Sequence, residues 1–268
     1  MARRPVSATP TVRAQSPWGW AMSGALLGAL LAAVVFAPAR WLAGWVNEAS
    51  QGHVMLNNAQ GTVWNGSAQL VLAGGASSIG SVALPGRVDW RLRPLFNGMQ
   101  ADISALCCMA QALRVAALPN WGGMRVQLGD HASNWPAGLL AGLGTPWNTI
   151  QAQGTLALST KALSLEWVSG RFALAGSMQV DAQEMASRLS TLKPMGSYRL
   201  TLAGGAVNTL QLETLQGSLQ LNGNGQWVGG RLRFDGVASA VPERLDALTN
   251  LLNIIGRRDG ARAIIKVG

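Results

Sequence analysis

Along most of this chain apolar side chains return at every second position, and no other feature limits its fold so strongly. The runs are Val88, Trp90, Leu92; Met124, Val126, Leu128; Leu156, Leu158; Leu163, Leu165, Trp167; Leu200, Leu202; Leu219, Leu221; and Leu232, Phe234. A period of two places alternate residues on one face of an extended backbone, so each run reads as a half-buried strand. Gly74-Gly75, Asn97-Gly98, Gly122-Gly123, Gly204-Gly205 and Gly229-Gly230 separate the runs at hairpin spacing. The composition agrees: 33 Gly and 11 Trp in 268 residues with only 12% charged residues excludes both a disordered tail and a coiled coil.

Helical patterns are few. Asn134 caps an expected helix over Trp135–Leu143, Asp181 and Glu184 make a capping-box-like start for Asp181–Leu192, and Pro242–Ile255 aligns Leu245, Leu248, Leu252 and Ile255 on one face before Gly256, Arg257 and Arg258. The strand pattern also repeats. Ala162–Gln179 aligns without gaps on Thr209–Gln226, with identities at Leu163/Leu210, Leu165/Leu212, Glu166/Glu213, Gly170/Gly217, Leu174/Leu221, Gly176/Gly223 and Gln179/Gln226. Gln60-Gly61-Thr62-Val63 begins a third copy, matching Gln216-Gly217-Ser218-Leu219. Repeated strand-turn units stack because one alone cannot cover its apolar face.

The N-terminal end is different in kind. No residue from Ala14 to Ala39 is charged, and Trp18–Phe36 is an almost continuous apolar run of 19 residues, long enough to cross a bilayer core of about 30 Å. Arg3, Arg4 and Arg13 precede it and no Lys or Arg occurs between Trp41 and Gly86, so the positive-inside rule predicts a cytoplasmic N-terminus. Trp18 and Trp20 at one end, and Trp41 and Trp45 at the other, sit where indoles prefer the two interfaces. A cleaved signal peptide is the rival reading, with Ala37-Pro38-Ala39 as a loose cleavage triplet. The length of the run and the central proline favour an anchor. Gly24 and Gly28 form a GxxxG helix-docking pattern.

The expected architecture is therefore mainly β: a single N-terminal transmembrane helix followed by an extended, curled antiparallel β-sheet of repeated strand-turn units with a few short helices. Its parts are a basic cytoplasmic segment (1–17), the span (18–36), a short amphipathic interfacial helix (37–52, with Trp41 and Trp45 on one face and Gly52 as its stop) and a β-rich region outside the cytoplasm (53–268). The net charge of +9 is scattered and carries no aromatic-basic RNA motif or recognition helix, so nucleic acid is not an expected partner.

Catalytic signals are missing from the sequence. His53 and His131 have no Cys, His or carboxylate at metal-ligand spacing, and no nucleophile-elbow, Walker A or zinc-protease motif occurs. Glu166, Glu213, Asp89 and Asp235 are the candidate paired carboxylates, but each falls where an alternating strand places a polar residue on its solvent face. Gly223-Asn224-Gly225 reads as a hairpin turn. Cys107 and Cys108 are adjacent; a strained vicinal ring or an intermolecular bond is open to them, and two small buried hydrophobes is the favoured account. Trp64 and Trp90, in strands beside turn glycines, are expected to plug the ends of the sheet. No enzyme activity, catalytic residue, metal or cofactor is expected.

Four stretches carry a resemblance: Gln60-Gly61-Thr62-Val63-Trp64-Asn65-Gly66-Ser67-Ala68, Leu84-Pro85-Gly86-Arg87-Val88-Asp89-Trp90-Arg91-Leu92, Leu143-Gly144-Thr145-Pro146-Trp147-Asn148-Thr149-Ile150, and Leu252-Asn253-Ile254-Ile255-Gly256-Arg257-Arg258-Asp259-Gly260. Together they resemble the type II (general) secretion pathway protein N family, with Gly61, Trp64, Gly66, Pro85, Gly86, Trp90, Pro146 and Gly256 as the motif positions. The resemblance implies a non-catalytic inner-membrane subunit of the secretion machine of a Gram-negative bacterium, in contact with other platform subunits and with membrane lipid, contributing to assembly or coupling. The alternative is a periplasmic β-groove protein that binds or shuttles lipid, with an acyl chain as its ligand.

Overall fold

The computed structural model describes residues 18–75, 80–168, 171–228 and 231–268. Arg3, Arg4 and Arg13, Gly170 of the repeat and the Gly229-Gly230 turn lie outside the described residues. The chain divides into two compact units, one ending at Ala37 and the other starting at Pro38. In the first, α1 (Trp18–Val35) is an uncharged helix with none of its residues buried, about 27 Å long at 1.5 Å per residue. Its length and composition suffice for a membrane crossing.

The second unit opens with α2 (Ala39–Ala49), which buries Ala39 and Leu42 against Ala68 and Trp90 and leaves Trp41 and Trp45 exposed. There follow β1 (Val54–Gly61), β2 (Asn65–Ala73), β3 (Ser81–Ala83), β4 (Val88–Leu95), β5 (Gly98–Ala105), β6 (Leu113–Asn120), β7 (Gly123–Leu128) and β8 (His131–Pro136). A 3-10 turn (Ala137–Leu143) and α3 (Trp147–Ile150) lead into the longest strands, β9 (Gln153–Val168) and β10 (Arg171–Ala186). The chain then runs through β11 (Gly196–Ala203), β12 (Thr209–Gly217), β13 (Leu219–Val228) and β14 (Arg231–Ala240). It closes with α4 (Leu245–Ile255), β15 (Arg257–Asp259) and β16 (Arg262–Val267). All sixteen strands belong to one antiparallel sheet in nearly sequential order, β3 lying against β2 and β8 against β9 beside the main path. This is the meander that the alternation predicts.

One strand explains a change of phase in the sequence. Leu156 and Leu158 fall on even numbers, Leu163, Leu165 and Trp167 on odd ones, yet all lie in β9. Between the pairs Ser177↔Lys161 and Ala175↔Ser164 the partner strand advances two residues and β9 three. The extra residue is a bulge at Ala162, whose backbone has φ +47; opposite it Gly176 has φ +80, and a Cβ there would collide with the Ala162 carbonyl oxygen, so glycine is required on both counts. The bulge returns the odd-numbered residues to the face that the even-numbered ones began.

The repeat is conserved in topology but not in register. Its first copy builds the β9–β10 hairpin with Leu165 opposite Leu174. In the second, β12–β13, Leu212 faces Gly223 instead of Leu221. A displacement of two residues keeps every side chain on its own face, so the apolar pattern permits it. The third copy is again a hairpin, β1–β2, and Gly61 and Gly217 both take positive φ at the bend.

The three helical expectations have three different outcomes. Pro242–Ile255 forms as expected, as one 3-10 turn and α4, with Leu248, Leu251 and Leu252 fully buried. Trp135–Leu143 is only partly helical: Asn134 and Trp135 extend β8 along β9, and the 3-10 turn begins at Ala137. Asp181–Leu192 is not a helix, because β10 continues to Ala186. In place of capping a helix, the Asp181 carboxylate accepts hydrogen bonds from Arg199 Nε at 2.8 Å and Nη2 at 2.9 Å across the β10–β11 ladder. A bidentate ion pair and a full strand ladder outweigh a local capping signal.

Hydrogen bonding from Arg199 holds the Asp181 carboxyl below the usual carboxylate range. A lowered folded-state pKa contributes stability above the unfolded value of 3.8, lost as the pH falls through the folded value. Asp181→Asn is therefore expected to lower the melting temperature at pH 7, with the gap to the wild type closing below about pH 4, as thermal denaturation across that range will test.

Candidate functional site

The apolar face of β9–β14 and β16 is incompletely covered. Leu248, Leu251 and Leu252 of α4 lie over it together with Ile150 of α3, forming the largest buried cluster with Tyr198, Leu219, Ala238 and Ala263. Beside this cluster the structure holds a cavity of about 1120 Å³. Its sheet wall is Leu156, Val180, Leu200, Leu212 and Leu221; its other side is Trp147, Ile150, Leu251 and Ile255. This volume lies just above the usual range of small-ligand sites, which pair an apolar lining with few polar groups.

Among the described residues three lining side chains carry a charge or a hydroxyl. Arg257 and Lys266 are the charged ones, both exposed, and none of the described lining side chains is acidic. The third is Tyr198, paired with Ala182 in the β10–β11 ladder. Its hydroxyl is buried without a hydrogen-bond partner among the described residues, and burial raises its pKa well above the usual phenol range. It is a neutral donor in an apolar wall.

Gly223 and Gly225 shape the same wall. They read as a hairpin turn in the sequence, but they lie within β13, and the ring of Phe234 occupies the space above them. A Cβ on Gly223 would lie 2.3 Å from Phe234 Cζ, one on Gly225 3.0 Å from Cδ2, and one on Gly236 2.8 Å from Cε1. Glycine is needed because an aromatic ring has to lie flat on the strand.

The motif positions fall in two places. Gly61, Trp64, Gly66 and Trp90 gather at the β1–β2 corner, where Trp90 is opposite Gly66 and its indole Nε1–H donates to the Val63 carbonyl at 3.0 Å. A side chain at position 66 would collide with that indole, at 2.6 Å from Cζ2. Trp64 is in the turn and half-buried, not in a strand as expected. Pro85 and Gly86 turn the chain into β4, next to Arg87, which donates to the Ser67 side chain and to the carbonyls of Asn58 and Ser67. Pro146 and Gly256, by contrast, line the cavity. Gly256 has extended backbone there and lies too close to the Ile264 carbonyl for a side chain, at 2.6 Å from the position of a Cβ.

Trp18, Trp20, Gly24 and Gly28 are exposed on α1, and a Cβ added to either glycine would meet nothing within 4 Å. The candidate carboxylates do not come together. Glu166 binds Arg125 at 3.0 Å, Asp235 lies 3.7 Å from Lys266, and Glu213 is opposite Arg199, each on a different strand. Among the described residues no group of three His, Cys, Asp or Glu could hold a metal ion. Cys107 and Cys108 are joined as a vicinal disulfide in the turn after β5, with Cys107 exposed and Cys108 buried, so the buried-hydrophobe account does not hold. A turn, unlike a strand, brings adjacent side chains together.

A protein-family model described as type II secretion system (T2SS), protein N matches residues 52–265. The chain belongs to this family. No curated protein and no solved structure matches it. The protein N match starts just after α2 and takes in all eight motif positions and the cavity lining except Lys266 and Val267, so the family signal describes the sheet. Membership implies a part in type II secretion and interaction with other components of that system. Tyr198 and Leu200 were missed as site residues because one alternating strand looks like another; only their neighbours make them a wall.

A buried hydroxyl without a partner costs free energy that its removal recovers. Tyr198→Phe is expected to raise stability by about 1 kcal/mol in denaturant unfolding, and a fall would reveal a partner for the hydroxyl.

Proposed function

We propose that this protein is a non-catalytic inner-membrane subunit of the type II secretion system, anchored by α1 with its N-terminus in the cytoplasm and its sheet in the periplasm. It contributes to assembly or coupling in the export of folded proteins across the outer membrane. The family match over residues 52–265 carries this reading. The uncharged α1, the open GxxxG surface at Gly24 and Gly28 and the exposed Trp41 and Trp45 of α2 support the anchoring and docking parts of it. In cells lacking the gene, secreted cargo is expected to accumulate in the periplasm behind an outer membrane that retains a periplasmic marker, and re-expression is expected to release it. Normal secretion in such cells would remove this role.

The cavity favours a second reading in which the sheet binds an acyl chain, its tail along Leu200, Leu212 and Leu221 and its head group near Arg257 and Lys266. A photoreactive fatty acid added to the full-length protein is expected to label peptides of β11, β13 and α4, with less labelling in Ala182→Phe, which narrows the cavity. Labelling confined to α1 would count against it.

A further inference from the structure

The disulfide between Cys107 and Cys108 closes the smallest loop that a chain can make, since the two residues are neighbours in sequence. In the chain-entropy account a cross-link stabilises a fold more as its loop lengthens, so this one contributes little to holding the sheet together. Its two ends differ in access. Cys107 is exposed, whereas Cys108 is 6% exposed and packs with Leu84, Ala105 and Leu139. A thiolate arriving from solvent therefore reaches Cys107, with the Cys108 sulfur as the leaving group, because attack on a disulfide follows access.

The turn that holds the pair also fastens β8. One side of β8 pairs with β9 from His131 to Pro136. Its other side is joined to the cysteine turn: the Asn134 N–H donates to the Cys108 carbonyl at 2.8 Å, and Met109 forms a bridge with Ser133. β8 leads directly into the 3-10 turn Ala137–Leu143, whose consecutive leucines pack on different partners. Leu139 belongs to the Cys108 cluster, while Leu140 lines the cavity and Ala137 is buried in the cluster beside it. The 3-10 turn thus has the disulfide on one side and the cavity on the other.

We propose that Cys107 is a thiol-exchange site for a dithiol, and that opening the disulfide loosens β8 and the 3-10 turn, so that the redox state of the pair controls one wall of the cavity. One thiolate of the dithiol attacks the Cys107 sulfur, the Cys107–Cys108 bond breaks, and Cys108 leaves as a thiolate that takes up a proton. The second thiolate of the dithiol then attacks its partner sulfur in the mixed disulfide and releases Cys107 as a thiol. Two electrons pass to the protein, and the dithiol becomes a disulfide. The closed ring fixes the torsions of the Cys107–Cys108 unit, whose carbonyl holds Asn134; opening it restores those torsions and weakens that bond. The inference depends on the wall of the cavity and not on any ligand in it.

The experiment treats the folded, full-length protein with dithiothreitol, alkylates it with iodoacetamide and follows amide hydrogen exchange by mass spectrometry. Alkylation of both cysteines without loss of far-ultraviolet circular dichroism is expected, with exchange over residues 131–143 faster by about threefold or more and the β13–β14 hairpin unchanged. Access is read separately with glutathione disulfide: Cys108→Ser, which leaves the Cys107 thiol, is expected to form the mixed disulfide about tenfold faster than Cys107→Ser, whose remaining thiol is buried. Cysteines that react only after unfolding, equal rates in the two variants, or exchange over 131–143 that is unchanged by reduction overturns the proposal. The reduction step uses the natural sequence, so a variant that fails to fold leaves the test in force.

Discussion

A sheet with one apolar face has to cover that face, and in this protein the requirement extends across consecutive long strands. Burial of apolar area is the dominant favourable term in folding, so a strand that slipped its phase would put leucines in water and polar groups in the core. The bulge at Ala162 prevents this in β9, and Gly176 gives it room. Further bulges, between Asn57 and Gln60 in β1 and between Gln183 and Ala186 in β10, interrupt the ladders in the same manner. With the phase held, α4 has a continuous surface to pack on, and the cavity is the part of that surface that it leaves uncovered.

The opposite face is tied together by charge. Asp181, Arg199 and Glu213 align across β10, β11 and β12, and Glu166 binds Arg125 across β7 and β9. Such pairs in partial solvent contribute modestly to stability, but they oppose the wrong register because a shifted strand would separate them. The carboxylates that a search for chemistry singles out are thus cross-strand fasteners. Likewise the Gly61, Gly66 and Trp90 cluster fastens a corner, since the indole packs where only glycine leaves space and bonds the turn through its N–H.

A protein N family member with this arrangement has three distinct features: an uncharged helix, an apolar cavity and a turn closed by a disulfide. The cavity offers apolar burial with cationic groups at its edge.

Period-two alternation determined the antiparallel meander, because neighbouring strands can be read from local pattern when sequential hairpins connect them. The N-terminal apolar helix was legible as well, as an unbroken run of eighteen uncharged residues without proline. Local signals failed where a partner distant in sequence decided the outcome. Arg199 drew Asp181 into a strand, Phe234 kept Gly223 and Gly225 flat, and a turn closed Cys107 onto Cys108. The cavity was decided only by tertiary structure, because leucines spaced two apart say which face they share but not whether a helix covers them completely.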